Sequence, residues 1–347
     1  MRRPEPPAAS AAFVISATFS SAALCAFLVR LAAALALLFP LLAHAAFTVI
    51  DDAGKTVTLT APASRVIALS PHAVELVYAA GGEATLVGAV SYSDYPPAAR
   101  TLPRVGSNTA LDLERIVALK PDLVVVWRHG NDERELNKLR ALGIALFRSE
   151  PHKLDDVATN LERLGVLLGT EATAAASARG YRSEIAGLRA RYAGRPTVSV
   201  FYQVWNRPLM TLNGTHIVSD AIALCGGRNV FAGLAPLVPT VSTEAVVAAN
   251  PELIVTADAG AAAAPPSRAQ AGQTPPELAM WREWPRVTAV ARGNLFALDG
   301  DLINRPGPRL ALGVGALCSD LDTARSRRPS SAAIPLERPS APAPAPR

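Results

Sequence analysis

The sequence predicts an α/β protein of two Rossmann-like lobes, each a mostly parallel sheet flanked by helices, joined by one long rigid helix. Three observations predict this. First, the segment 113–126 recurs as 243–256, with Glu, Val, Ala, Pro, Leu and Val identical at six of the fourteen positions. Each copy reads as a short amphipathic helix stopped before a proline, because the residue ahead of Pro is pushed out of the α region. Second, a run of β-branched residues follows each stop, Val124-Val125-Val126 and Ile254-Val255-Thr256, which suits a strand buried on both faces. Third, strand signal is nearly absent from Lys153 to Tyr192, and Glu171–Tyr192 reads as one helix. At 1.5 Å per residue that helix is ~30 Å long. It lacks the Gly/Ser content of a flexible linker, so it is a stiff connector.

Length and composition agree. A chain of 347 residues holds two domains. Half of its residues are hydrophobic but only 5% are aromatic, a balance that favours α/β lobes over a β-sandwich. The net charge of +5 resides in the ends, because Arg2, Arg3 and Arg30 lie in the leader and five arginines lie beyond residue 324. The body between them is close to neutral, which leaves no electrostatic footprint for nucleic acid. The expected organisation is a signal peptide over 1–45, an N-terminal lobe over 46–170, the linker helix over 171–194, a C-terminal lobe over 195–324 and a disordered tail over 325–347.

The leader has the form of a cleavable export signal. Arg30 precedes the apolar stretch Leu31–Leu42, and Ala43-His44-Ala45 supplies a small-residue cleavage pattern. A membrane anchor is the alternative, but the stretch is shorter than the ~20 residues that span a bilayer. Export places the mature chain in the periplasm. Cys25 leaves with the leader, so Cys225 and Cys318 remain. In an oxidising compartment the pair is expected to form one disulfide, with two buried thiols as the alternative.

Further elements follow in order. Phe47–Leu59 reads as a β-hairpin turning at Asp52–Lys55. Arg65–Leu69 is a strand, and Ser70 caps a helix through Tyr78 with Pro71 in its first turn. Leu86–Val90 is the next strand. Residues 132–142 form a helix and Ile144–Phe147 a strand. Leu154, Val157, Leu161, Leu164, Leu167 and Leu168 share one helical face, and Gly169-Thr170 breaks it. The second lobe has strands at Thr197–Tyr202 and Asn294–Leu298, a helix over 216–225 ended by Gly226-Gly227, and a closing helix over 308–322. The Ala/Pro/Gly-rich stretch 259–276 reads as a surface loop.

Catalytic signatures are missing. There is no Gly-x-Ser-x-Gly elbow, His-Glu-x-x-His pair, phosphate-binding loop or dinucleotide fingerprint. His72, His129, His152 and His216 are not closely spaced with one another or with cysteine, so no catalytic group, metal or cofactor is expected. The strand ends are richer. Tyr92, Tyr95, Trp127 and Trp205 fall beyond carboxyl ends of strands, where open α/β sheets bind ligands. Wide aromatic faces with one polar handle suit a large, flat, amphipathic ligand, and core packing is the plainer alternative for each. Asn304-Arg305-Pro306-Gly307-Pro308-Arg309 is a loop opening the closing helix, with Asp301 just upstream. Each repeat copy carries one glutamate near its helix start, Glu114 and Glu244. The helix dipole favours a carboxylate there by ~0.3–1 kcal/mol, and a docking charge repeated once per lobe is the functional alternative.

These residues resemble the substrate-binding proteins of ABC importers that have a helical backbone, and within them the cobalamin-binding branch. The likeness is carried by Ser91–Pro97, Leu113–Val124, Trp127-Arg128-x-Gly130-Asn131 and Cys225-Gly226-Gly227-x-Asn229-Val230-Phe231, across roughly residues 60–322. It implies a corrinoid held between the lobes, lined by Tyr92, Trp127 and the segment Asp301, Leu302, Ile303, Asn304 and Arg305; Tyr95 and Trp205 join them as candidates from their place at the strand ends, and the protein is expected to be a monomer. It implies that Glu114 and Glu244 dock on arginines of a membrane permease, whose ATPase is the further partner. It also pairs Cys225 with Cys318. The chain departs from the family at Asn108 and Val238, where further tryptophans are usual, and at Leu302 and Ile303, where aromatics are usual. Two other ligands fit the same fold: haem, with Tyr95 as axial ligand, or a ferric siderophore.

Overall fold

The computed structural model describes residues 46–107, 109–258 and 274–329. The expected signal peptide, Asn108, most of the 259–276 loop and the tail beyond 329 lie outside the described residues.

The described chain opens with an antiparallel hairpin, β1 (Phe47–Ile50) and β2 (Thr56–Leu59). Asp51 shapes its turn by accepting from the backbone N–H groups of Ala53 and Lys55. Next come β3 (Val66–Ala68), α1 (Pro71–Ala79), β4 (Leu86–Ala89), α2 (Leu113–Ala118), β5 (Leu123–Trp127), α3 (Glu133–Ala141) and β6 (Ala145–Ser149). Their strands form one parallel sheet in the order β4-β3-β5-β6. α4 (Leu154–Leu168) ends at Gly169, whose φ of 68° is left-handed, and α5 (Glu171–Tyr192) begins two residues later. The second half contains β7 (Val198–Gln203), α6 (Ile217–Leu224), β8 (Gly227–Asn229), α7 (Thr243–Ala249), β9 (Leu253–Ala257), β10 (Leu295–Leu298), α8 (Gly300–Ile303) and α9 (Leu310–Ser326). Its sheet is again parallel, in the order β8-β7-β9-β10. Both sheets follow the order second, first, third, fourth, so the sequence repeat is a repeat of topology.

The two copies match in detail. Lys120 and Asn250, each just ahead of its proline, take left-handed φ values of 47° and 42°. The acidic residue after each proline ties the junction to the first strand of its sheet. Asp122 accepts from the N–H groups of Ser64 and Arg65, and Glu252 from that of Ser199. Ile116 and Val246, at matching positions, are fully buried and anchor α2 and α7.

The inner strands β3, β5, β7 and β9 carry apolar residues on both faces, as parallel strands flanked by helices do. Val66, Ala68, Leu123 and Val125 enter one core with Val198, Val200, Leu253, Val255 and the α5 residues Ala174, Ala178, Tyr181 and Ile185. The opposite faces feed two outer cores, one around Ile67, Val124 and Ile116, the other around Phe201, Ile254, Val246 and Trp281. Burying each such valine, leucine, isoleucine or phenylalanine side chain contributes roughly 1.5–3 kcal/mol. Asp220 of α6 accepts from the Leu154 N–H at 3.0 Å and pairs with Lys153 at 3.1 Å, which ties α6 to the start of α4. Cys225 and Cys318 are joined as expected, with Cα atoms 4.8 Å apart, fastening the end of α6 to α9.

Three elements differ from expectation. β8 is a strand where Gly226-Gly227 read only as a helix stop, because Gly227-Arg228-Asn229 has no β-branched residue to signal one. A helical turn, α8, occupies part of the expected 301–305 loop, capped by Asp299 through the Asp301 N–H. α9 runs to Ser326 instead of ending at 322. The tail expected from 325 is therefore ordered at its start. Arg325 donates to the carbonyls of Pro196 and Cys225, and Arg328 pairs with Glu252 at 2.9 Å.

Candidate ligand-binding cleft

The candidate site lies beyond the carboxyl ends of both sheets, where the loops after β4, β5, β7 and β10 gather. Its floor is a charge cluster formed by distant parts of the chain. Glu75, on α1 and 3% exposed, is gripped by Arg309 through two bonds, Nε to Oε2 at 2.9 Å and Nη2 to Oε1 at 2.6 Å. Arg305 Nη1 lies 2.7 Å from Asp94 Oδ1 and 3.5 Å from Glu75 Oε1, while its Nη2 lies 2.7 Å from Asp301 Oδ1. Burial pushes the Asp94 carboxyl up, but Arg305 and then Arg309 outweigh it and hold the group below its ordinary range. A buried carboxylate persists only when paired in this way.

The aromatic residues surround that floor. The Arg309 guanidinium covers the ring of Tyr95 at 3.9 Å. Trp127, half-buried at the end of β5, donates its backbone N–H to Asn131 Oδ1 at 2.8 Å. Asn131 Nδ2 donates in turn to the Leu69 carbonyl at 3.1 Å, which fixes the turn against β3. Gly130 lies flat on the indole, since a Cβ there would stand 1.8 Å from it. His72 meets Trp127 edge-on at 5.8 Å. Burial lowers the His72 pKa to about 3, with Arg305 adding to the effect, so the imidazole is neutral.

Tyr92 and Trp205 are the most exposed members, at 69% and 60%. Tyr92 has φ 64°, a left-handed conformation that strains a non-glycine residue. Trp205 begins a short antiparallel ribbon, Trp205-Asn206 against Leu209-Met210, and its Nε1–H donates to the Arg207 carbonyl at 3.0 Å. Beside it opens a hollow of about 490 Å³ lined by Gln203, Trp205, Asp258, Glu277, Asp301 and Arg305 among others. Asn304 also lines it and accepts from the Tyr202 hydroxyl at 3.0 Å.

The structure thus draws Tyr95, Trp127, Trp205, Asp301, Asn304 and Arg305 to one region, with Tyr92 in the Tyr95 loop. Ile303 is a correction: it is 1% exposed and belongs to the central core, because the α8 turn rotates it inward. Leu302 is half-buried and its carbonyl faces Gly313 of α9. Glu75, Asp94, Arg309 and His72 were not anticipated. Glu75 did carry a signal, since a lone carboxylate in an otherwise apolar helix demands a partner; nothing local identified the partner.

Glu114 and Glu244 stand elsewhere, exposed in the first turns of α2 and α7. Asp112 and Ser242 cap these helices by accepting from the N–H groups of Arg115 and Ala245. The Glu244 carboxyl is held below its ordinary range by its own backbone N–H and the Ser242 hydroxyl, so it is fully ionised near neutrality. Among the described residues no group of three or more His, Cys, Asp or Glu is placed to hold a metal ion, and no helix is long and apolar enough to cross a membrane.

Comparison with known proteins adds a context. A family model described as a periplasmic binding protein matches residues 66–302. The chain is 37% identical over 267 residues to the vitamin B12-binding protein of Vibrio cholerae serotype O1, covering 77% of this chain and 92% of that one. The crystal structure of the periplasmic vitamin B12 binding protein of Vibrio cholerae matches at 37% identity with a TM-score of 0.67, covering 76% of this chain and 98% of that one. A periplasmic heme-binding protein, BhuT in complex with two hemes, matches at 24% identity with a TM-score of 0.64, covering 76% and 99%; it shares the fold.

Proposed function

The chain belongs to the periplasmic binding protein family, and from that premise we propose that it captures a corrinoid between its two lobes and delivers it to an ABC importer. The observation that carries this reading is the exposed Trp205 beside a hollow lined by Asp301, Asn304 and Arg305, with Arg305 paired to Asp94 in the loop that bears Tyr92 and Tyr95. A wide aromatic face left in water beside such a hollow, with further aromatics in the loop paired to it, is suited to stacking on a broad ring. The relatives' ligand supports a corrin as that ring.

The mechanism is capture without turnover. Tyr92, Tyr95 and Trp127 present apolar faces from the first half and Trp205 from the second. Asp301, Asn304 and Arg305 offer hydrogen-bonding groups to the peripheral amides of the ring. The 22-residue α5 and the Glu75–Arg309 and Asp220–Lys153 pairs resist hinge motion, so closure on ligand is small. Glu114 and Glu244 then engage two arginine sites on the permease, whose ATPase drives release. The protein works in the periplasm, as a monomer.

Calorimetric titration with cyanocobalamin, cobinamide and haemin tests the reading. Tight binding of the two corrinoids supports it. Haemin binding with a Soret shift, and no corrinoid binding, replaces it with the haem alternative.

A further inference from the structure

We propose that the cleft selects its ligand by charge, accepting rings whose periphery is amidated and rejecting the same rings carrying carboxylates. This deepens the corrinoid reading and rests on it. The argument begins with the two arginines. Arg305 is already paired through both Nη groups: Asp94 and Asp301 each lie 2.7 Å from it, and Glu75 lies at 3.5 Å. Arg309 has its fork filled by Glu75 and its face laid on Tyr95. Two cations therefore meet three carboxylates, so the floor is formally negative before any ligand arrives.

The hollow beside it extends that bias, because Glu277 lines the same surface as Trp205 and Asp301. A ligand carboxylate reaching Arg305 must displace one of its partners, and that partner is then left in a poorly solvated site without a counter-charge. An amide has no such conflict. Its N–H groups donate to carboxylate oxygens and its carbonyl accepts from whatever guanidinium edge remains. The exposed arginines of the rim, Arg128 and Arg207, are screened by water and salt and do not reverse the sign. Asp94 is the positioning residue of this device, since it holds Arg305 from the opposite half of the chain and does not itself line the hollow.

The test uses pairs of ligands that differ only in charge. Dicyanocobinamide and dicyanocobyrinic acid share the corrin ring, the first amidated and the second a polycarboxylate. Haemin dimethyl ester and haemin form a second pair on another ring. Calorimetry of the wild-type protein is expected to favour the uncharged member of each pair by about 100-fold or more. In Asp94→Asn, Arg305 loses one carboxylate, and the preference is expected to narrow about tenfold, mainly by tighter binding of the carboxylate forms. A salt titration accompanies it, since the narrowed ratio should widen again as added salt screens the freed charge. Equal affinity within a pair for the wild type overturns the proposal, as does an unchanged ratio in Asp94→Asn. If neither corrinoid binds but the porphyrin pair still shows the preference, the corrinoid reading falls and charge selection stands. A cleft that takes neither ring in either form overturns both.

Discussion

Glu75 and Arg309 form a two-pronged ion pair, 2.9 and 2.6 Å in its two bonds, across a separation of 234 residues. The Glu75 side chain is 2% exposed and that of Arg309 19%. The pair joins the first helix after β3 to the segment leading into α9, so it connects the beginning of one half to the end of the other. Packing at this point depends on charge as well as on apolar area.

Glu75→Gln removes one charge and leaves Arg309 partly buried without its hydrogen-bonded counter-ion. The expected loss is about 3 kcal/mol, within the range for breaking one side of a buried pair. Urea unfolding of the mature protein measures it. A loss below about 1 kcal/mol means that water already solvates the cluster. The double variant Glu75→Gln with Arg309→Met is expected to recover part of the loss, because it removes both charges together.

Tyr92, by contrast, is a place where the protein gives up stability. Its φ of 64° is a conformation glycine adopts freely, and its ring is 69% exposed, so little packing depends on it. Tyr92→Gly is expected to leave the unfolding midpoint unchanged or to raise stability by up to ~1 kcal/mol. The same variant is expected to bind corrinoid at least tenfold more weakly. Destabilisation with unchanged affinity would mean that the ring serves the fold.

Much of this architecture is legible in the sequence. The helix ends at Ser70, Gly169 and Tyr192 follow from a cap, a breaker and a periodicity that operate within a few residues. The repeat is legible because both copies solve one local problem, a helix stopped by proline ahead of a buried strand. The aromatic positions are readable because they directly follow β-branched runs. The partners of Glu75 are not readable, since the separation of 234 residues from Arg309 exceeds any local pattern. Ile303 misled for a related reason: within a loop an isoleucine has no assigned face, and only the α8 turn sends it into the core.

His216 gives a pH prediction with a definite sign. Burial, followed by the nearby His152 and His129, lowers its pKa from 6.5 to about 4. The unfolded chain therefore takes up a proton below pH 6.5 that the folded protein refuses until about pH 4, and stability falls as pH drops through that window. His216 caps α6, with Nδ1 accepting from the Val218 N–H at 3.2 Å. Asparagine is a good cap without a titrating group. His216→Asn is thus expected to fold normally at pH 7 and to lose less stability on acidification, by up to about 3 kcal/mol at pH 4. Denaturant midpoints measured at several pH values should diverge between the two proteins only below pH 6.5. Parallel curves would place the acid sensitivity elsewhere.

Glu114 and Glu244 provide the sharpest separation of capture from delivery. Both are exposed in the first turn of short helices that repeat at matching positions, and both helices are pinned from behind by a fully buried residue, Ile116 or Val246. Replacing either glutamate disturbs no buried contact, and Asp112 and Ser242 still cap the helices. Glu114→Ala with Glu244→Ala is therefore expected to keep the wild-type melting curve and the wild-type corrinoid affinity. Uptake by cells that depend on this protein should be abolished, with each single variant intermediate, because a partner with two equivalent cationic sites loses one contact at a time. Charge reversal to lysine should be worse than alanine at each position, since it adds repulsion to the lost attraction. Normal transport by the double alanine variant refutes docking through these residues and returns both glutamates to the local role of carboxylates at helix starts.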